Sequence, residues 1–189
     1  MTTGVGGAGV VAASVPFVAS FAPSERAKAV GSRVEIDMES SEYTSRTLAI
    51  GEEMHEKYGC VRAVLQAYLR RTESDIRRLN AANLPVRLCK GAYDEPPEVA
   101  YVRKEEVDAN YLRLANLLLD EGTFPALATH DEKMLRGVLD HAAERRLNAE
   151  KFEFQMLYGI RRDLQEMLVR KGYAVRVYVP YGGARYPYF

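Results

Sequence analysis

Six short apolar runs punctuate the chain, at residues 34–38, 61–69, 86–92, 124–129, 152–157 and 174–180. Their length and their Val, Ile, Leu and Phe content predict strands. The stretches between them carry apolar residues at helical spacing. Residues 104–120 place Val107, Tyr111, Leu114 and Leu118 on one face and stop at Gly122. Residues 131–147 do the same with Met134, Leu135, Val138, Leu139 and Ala142. Thr72 with Asp75 reads as a helix N-cap ahead of Ile76 and Leu79, and 160–169 carries Leu164 and Leu168 before a stop at Gly172. Strand and helix alternate, which predicts a parallel sheet with helical crossovers.

An open doubly wound sheet and a closed (β/α)8 barrel both satisfy that order. The strands discriminate. Val34, Ile36 and Met38 alternate with Glu35, Asp37 and Glu39; Phe152, Phe154 and Met156 alternate with Glu153 and Gln155; Val175, Val177 and Val179 alternate with Arg176 and Tyr178. A sheet covered by helices on both faces would be apolar on both. One apolar face and one polar face suit a barrel of the TIM type, with helices outside and a polar interior. Only about six of its eight strands are recognisable, and 189 residues falls below the ~200 expected for such a barrel. The barrel is therefore expected to be incomplete, with two open sheet edges. Residues 1–22 are rich in Gly, Ala and Val and poorly patterned, although 9–13 or 15–20 could add a strand. Residues 23–189 form the one expected domain.

Composition narrows the function. Lys plus Arg (26) equals Asp plus Glu (26), so no global field draws the chain to nucleic acid, and anion binding must come from local placement. Cys60 and Cys89 make no CxxC, and the three histidines at 55, 130 and 141 are scattered; a reduced cytoplasmic protein with no metal site is expected. No apolar run reaches the ~18 residues of a spanning helix.

The most informative stretch is Val86-Arg87-Leu88-Cys89-Lys90-Gly91-Ala92-Tyr93. It begins as a buried strand, yet carries an arginine inside and a lysine at its end. Buried cations need an anionic partner. Either this is an edge strand with solvated charges, or it holds an anion at its carboxyl end. The other runs also end in residues suited to chemistry: Asp37, Gln66, Thr129 with His130, Gln155 with Leu157, and Tyr178 with Tyr181. A β/α barrel builds its active site at that end. Singly, His130 reads more often as a capping or core histidine than as a ligand, Asp37 as a cap, and the tyrosines as packing. Together they describe a site for an anionic or amphipathic organic cofactor beside a small substrate, without naming the reaction. No GxGxxG, P-loop, HExxH or GxSxG is present.

Six ordered blocks carry a resemblance. They are 86–93; Ile36-Asp37-Met38-Glu39; Leu65-Gln66-Ala67-Tyr68-Leu69; Ala128-Thr129-His130-Asp131; 152–159; and Val177-Tyr178-Val179-Pro180-Tyr181-Gly182. Over residues 26–189 the chain resembles proline dehydrogenase, in its small single-function bacterial form. The resemblance implies a distorted (β/α)8 barrel that carries FAD. It implies oxidation of L-proline to Δ1-pyrroline-5-carboxylate, with electrons passed to a membrane quinone through a peripheral contact at the inner face. Carried over by motif, Asp37, Arg87 and Lys90 are catalytic. Asp37, Tyr93, Leu157, Tyr178 and Tyr188 bind the substrate. Gln66, Arg87, Lys90, Thr129, His130 and Gln155 bind the cofactor. The family's lysine segment ahead of residue 26 and its arginine pair beyond residue 189 have no counterpart here, so the chain reads as truncated at both ends. The alternatives are a remnant that at most binds flavin or partner chains, and a different β/α-barrel enzyme of phosphorylated metabolites, for which Gly182-Gly183 is the only hint.

Overall fold

The computed structural model describes residues 10–12 and 21–180. Seven parallel strands form one sheet in sequential order: β1 (Val10–Ala12), β2 (Arg33–Ile36), β3 (Val61–Gln66), β4 (Val86–Cys89), β5 (Ala126–Ala128), β6 (Glu153–Leu157) and β7 (Ala174–Tyr178). Helices α1 (Phe21–Ala29), α2 (Thr44–Tyr58), α3 (Thr72–Ala81), α4 (Lys104–Glu121), α5 (Glu132–Glu144) and α6 (Arg162–Arg170) connect them. Every crossover steps one place in the same direction. Because such crossovers are right-handed, all the helices fall on one face of the sheet. The other face must curl inward, and the result is a partial β/α barrel with β1 and β7 at its edges.

The register separates the two faces. Glu35 lies beside Arg62, Val64 beside Arg87, Arg87 beside Ala126, Ala126 beside Glu153, and Gln155 beside Arg176. These point inward. Val34, Ala63, Leu65, Val86, Leu88, Leu127, Phe154 and Met156 point outward and are buried. All but Val34 belong to one core with Leu48, Ile76, Leu79, Tyr111, Leu114, Leu118, Met134, Leu135, Val138, Leu164 and Leu168 of the helices. The apolar and polar faces therefore lie as the alternation requires.

Side chains measure the curl. Arg62 Nη1 on β3 lies 2.6 Å from Glu35 on β2 and 2.6 Å from Glu153 on β6. Gln155 Nε2 on β6 donates to Glu35 Oε1 at 2.6 Å, four strands away. In a flat sheet those strands would stand about 19 Å apart, beyond the reach of two such side chains. Arg176 on β7 joins the cluster through Glu153 at 2.9 Å. Arg62 Nη2 also donates to the Phe124 carbonyl at 3.1 Å, and Arg33 sits over the Phe124 ring at 4.9 Å.

Several expected boundaries move, each for a local reason. Phe124 does not open a strand: its φ of 44° lies in the left-handed region, with its carbonyl engaged by Arg62. The strand at 61–69 stops at Gln66, because the chain from Ala67 turns toward residues 99–101. That at 86–92 stops at Cys89, ahead of Gly91 at φ 110°. Thr72 is not an N-cap. It is the first residue of α3, and its hydroxyl donates back to the Gln66 carbonyl at 2.5 Å, while Asp75 receives Arg71 at 2.7 Å. The alternative strand at 9–13 corresponds to β1, whose Val10–Ala12 pair with Arg33–Glu35. The rest of the 1–22 segment lies outside the described residues, apart from the start of α1.

Burial by itself would raise the Glu153 carboxyl, but Arg176, Arg62 and Gln155 outweigh it and hold it at about 2. A carboxyl depressed on folding stabilises the fold above its unfolded value of 4.5 and loses that contribution as pH falls toward about 2. Urea titrations between these limits are expected to show a shallower loss of stability in Glu153→Gln than in the native chain.

Candidate active site

A cavity of about 580 Å³ opens at the carboxyl ends of β2 to β7. Each of these strands contributes to its wall, as the curl requires. Asp37 follows β2, Gln66 ends β3, Arg87 and Lys90 belong to β4 and its loop, Thr129 and His130 follow β5, Gln155 and Leu157 end β6, and Tyr178 ends β7. Tyr93 reaches the same wall from the loop after β4. Ten of the eleven residues singled out from the sequence thus share one cavity. Tyr188 lies outside the described residues.

The first half of the wall is stitched by side chains. Gln66 is buried, and its Nε2 donates to the Met38 and Glu39 carbonyls at 3.2 Å each. Those two acceptors fix the amide orientation, which leaves Gln66 Oε1 buried without a protein partner. The loop at 90–103 folds back across the end of β3. Its Glu95 accepts from the backbone and hydroxyl of Ser41 at 2.6 Å each, and the Tyr93 hydroxyl donates to Glu39. Gly91 permits this path. Its φ of 110° disfavours any side chain, and a Cβ there would stand 2.2 Å from the Tyr68 ring.

Arg87 is the centre of positive charge. Nε donates to Gln155 Oε1 at 2.7 Å, and Nη1 lies 3.7 Å from Asp37. Burial disfavours its charge, but Cys89, Asp37 and Glu35 more than compensate and raise its pKa. Gln155 itself is buried, and its Nε2 is shared between Glu35 and Glu153. Lys90 has a different setting. Its ammonium bonds Asp108 of α4, and Asp131 at the head of α5 at 2.8 Å, which hold two of its three hydrogens. Both carboxyls sit below the usual range. For Asp108, Lys104 and Lys90 overcome its burial; for Asp131, the Lys90 hydrogen bond leads.

His130 does not cap α5; Asp131 does, accepting from Lys133 N at 2.9 Å. His130 Nε2 instead accepts from the Leu157 N–H at 2.7 Å, which places the ring proton on Nδ1. Burial, and then Arg87, lower its pKa, so the ring is neutral at pH 7. The Thr129 hydroxyl accepts from Asp131 N at 3.1 Å. Leu157 and Tyr178, both half-buried, give the far wall its apolar surface.

Sequence reasoning missed the partners that aim these groups. Glu35 and Glu153 were legible only as the polar positions of a strand. Asp108 carries one local signal, its i, i+4 spacing from Lys104. Cys89 also lines the cavity, where burial pushes its thiol up.

A family model described as proline dehydrogenase matches residues 22–186. The chain belongs to the proline dehydrogenase family. Proline dehydrogenase 2 of Bacillus subtilis is 47% identical over 156 residues, covering 82% of this chain and 52% of the relative. Proline dehydrogenase of Deinococcus radiodurans is 42% identical over 166 residues, covering 87% and 54%. The chain thus spans about half the length of the curated relatives it matches. Among solved structures, proline utilization A from Bdellovibrio bacteriovorus inactivated by N-propargylglycine superposes with a TM-score of 0.75 at 31% identity, over 85% of this chain and 20% of that one. Proline utilization A with proline bound in remote sites gives 0.77 at 27%, over 88% and 19%. The family's barrel architecture is the one described above.

Two predictions follow from the wall of this proline dehydrogenase family site. Gly91→Ala strains the backbone and drives a Cβ into Tyr68, so a loss of about 3 kcal/mol is expected in denaturant titration. The lowered pKa of His130 means that its neutral form stabilises the fold above its unfolded value of 6.5, and that this is lost as pH falls through the folded value. Thermal midpoints measured below pH 6.5 are expected to fall less steeply in His130→Gln than in the native chain.

Proposed function

We propose that this chain oxidises L-proline to Δ1-pyrroline-5-carboxylate in proline catabolism, with FAD as cofactor and a membrane quinone as the onward acceptor. The observation that carries this is Arg87. It is a half-buried cation on the cavity wall, fixed at Nε by Gln155, with a carboxylate 3.7 Å away and the apolar Leu157 in the same wall. Family membership and the names of the relatives support the substrate.

The residues fit a flavin. A cavity of about 580 Å³ lies within the roughly 300–1,000 Å³ of cofactor sites. Gln66 Oε1 is a buried acceptor without a protein donor, which an N–H of a flavin ring would satisfy. Gln66, Arg87, Lys90, Thr129 and His130 would hold the cofactor, and Gln155 would reach it with at most one lone pair. Bound FAD supplies a two-electron acceptor for the ring C–H next to nitrogen. Arg87 then stabilises negative charge that develops on the acceptor side, in a site where water does not screen it. The Asp37 carboxylate, 41% exposed, faces the cavity and attracts the substrate amino group. Tyr93, Leu157 and Tyr178 enclose the ring methylenes and exclude water. Tyr188 joins them in this reading. Lys90, with Asp108 and Asp131 against it, offers a donor rather than net positive charge. Among the described residues no helix is long and apolar enough to cross a membrane, so contact with a quinone would be peripheral.

The test is a visible spectrum of the purified chain with FAD, followed by L-proline without oxygen. A yellow protein that bleaches with proline is expected. Arg87→Met should keep the colour and bleach at least ~100-fold more slowly, as for loss of one donor to a developing anion. A yellow native chain that never bleaches would mean flavin binding without turnover, and a colourless one would overturn the reading.

A further inference from the structure

Arg87 can act only if its guanidinium is held in one orientation, and the structure shows what holds it. Gln155 Oε1 accepts from Arg87 Nε at 2.7 Å. The same amide donates both its hydrogens away from Arg87, to Glu35 Oε1 at 2.6 Å and Glu153 Oε1 at 2.9 Å. Rotating the amide by half a turn would set N–H against N–H and oxygen against two carboxylates, so it has one allowed orientation. Both carboxylates are pinned in turn by Arg62 Nη1 at 2.6 Å each, and Glu153 also by Arg176 at 2.9 Å. Without Gln155, Arg87 would have two competing attractions: Glu35 at 3.8 Å, toward the barrel floor, and Asp37 at 3.7 Å, toward the mouth.

We propose that Gln155 is a positioning residue for Arg87: clamped by Glu35 and Glu153, it holds the guanidinium by Nε and keeps it from collapsing onto Glu35. Its role passes through Arg87, beyond whatever contact the remaining lone pair of its oxygen makes with the cofactor. All three of its polar bonds to the protein are already made, which fits a support better than a ligand. The inference rests on the flavin reading for its consequence, but the positioning itself does not need a flavin.

The experiment compares the native chain with Gln155→Met, Arg87→Met and the double variant. The first readout needs no cofactor: solvent exchange of the Arg87 Nε proton by NMR. Exchange at least about tenfold faster in Gln155→Met than in the native chain is expected, since a half-buried hydrogen bond from a charged donor is lost. The second readout is the affinity of the FAD-loaded chain for sulfite, which adds to a flavin more tightly beside a fixed cation. Gln155→Met should weaken it at least about fivefold, and should add nothing in the Arg87→Met background. Unchanged proton exchange, or a sulfite effect that adds in full on Arg87→Met, overturns the proposal. If Gln155→Met does not fold, Gln155→Glu serves. Its carboxyl stands against Arg87 Nε and has at most one hydrogen for the two carboxylates that the amide serves, so the clamp is broken here too: faster Arg87 Nε exchange and a sulfite loss that adds nothing in the Arg87→Met background are expected, and unchanged exchange overturns the proposal. Protected Arg87 Nε in a chain that takes no FAD would sustain the positioning and sink the flavin reading.

Discussion

The structure depends on one buried arginine. Arg62 is fully buried and bonded on one nitrogen to carboxylates of β2 and β6. It thereby ties together strands that a flat sheet would hold far apart. A parallel sheet with all its helices on one side has an uncovered face, and that face must curl and fill itself. Here it fills with charge instead of hydrocarbon. Buried pairs contribute little net stability relative to apolar packing, but removing one partner leaves a stranded charge, at a cost of about 3–5 kcal/mol. Such a cluster penalises alternative curvatures more than it stabilises the native one.

The cluster divides the interior into a floor and a mouth. Glu35, Arg62, Glu153 and Arg176 pair with one another near the start of the strands, although Arg62 Nε stays buried without a hydrogen-bond partner. One turn of the pleat further along, the polar positions are Asp37, Gln66, Arg87 and Gln155, and these line the cavity. Gln155 belongs to both layers, with its amide nitrogen in the floor and its oxygen on Arg87. The floor is thus joined to Arg87 through its Nε, and the rigidity of the first is transmitted to the second.

The mouth is shaped by loops anchored in the same manner. The loop at 90–103 reaches back over β3 to Ser41 and Glu39, and Gly91 is the residue that lets it turn. Lys90 is drawn aside by carboxylates from α4 and α5. The cavity therefore has positive charge on one side, at Arg87, and apolar surface at Leu157 and Tyr178. That asymmetry is what a redox cofactor beside a small, partly apolar substrate would require.

Much of this was legible in the chain itself. Period-two alternation in residues 34–38, 152–156 and 175–179 separated an outer apolar face from an inner polar one, because a strand sends successive side chains to opposite sides. The strand-end residues, and the blocks around Arg87, Gln66 and His130, marked the wall of the cavity and the family. What the chain could not reveal was which groups meet across the interior. Glu35 and Gln155 are 120 residues apart, and nothing local pairs them. His130 leaves the cap of α5 to Asp131 because its Nε2 meets the Leu157 N–H of another strand. Phe124 left its expected strand for a backbone bond to Arg62. Alternation is a property of the backbone and can be read locally. The partners of a buried charge depend on the curvature of the whole sheet, and only the tertiary structure decides them.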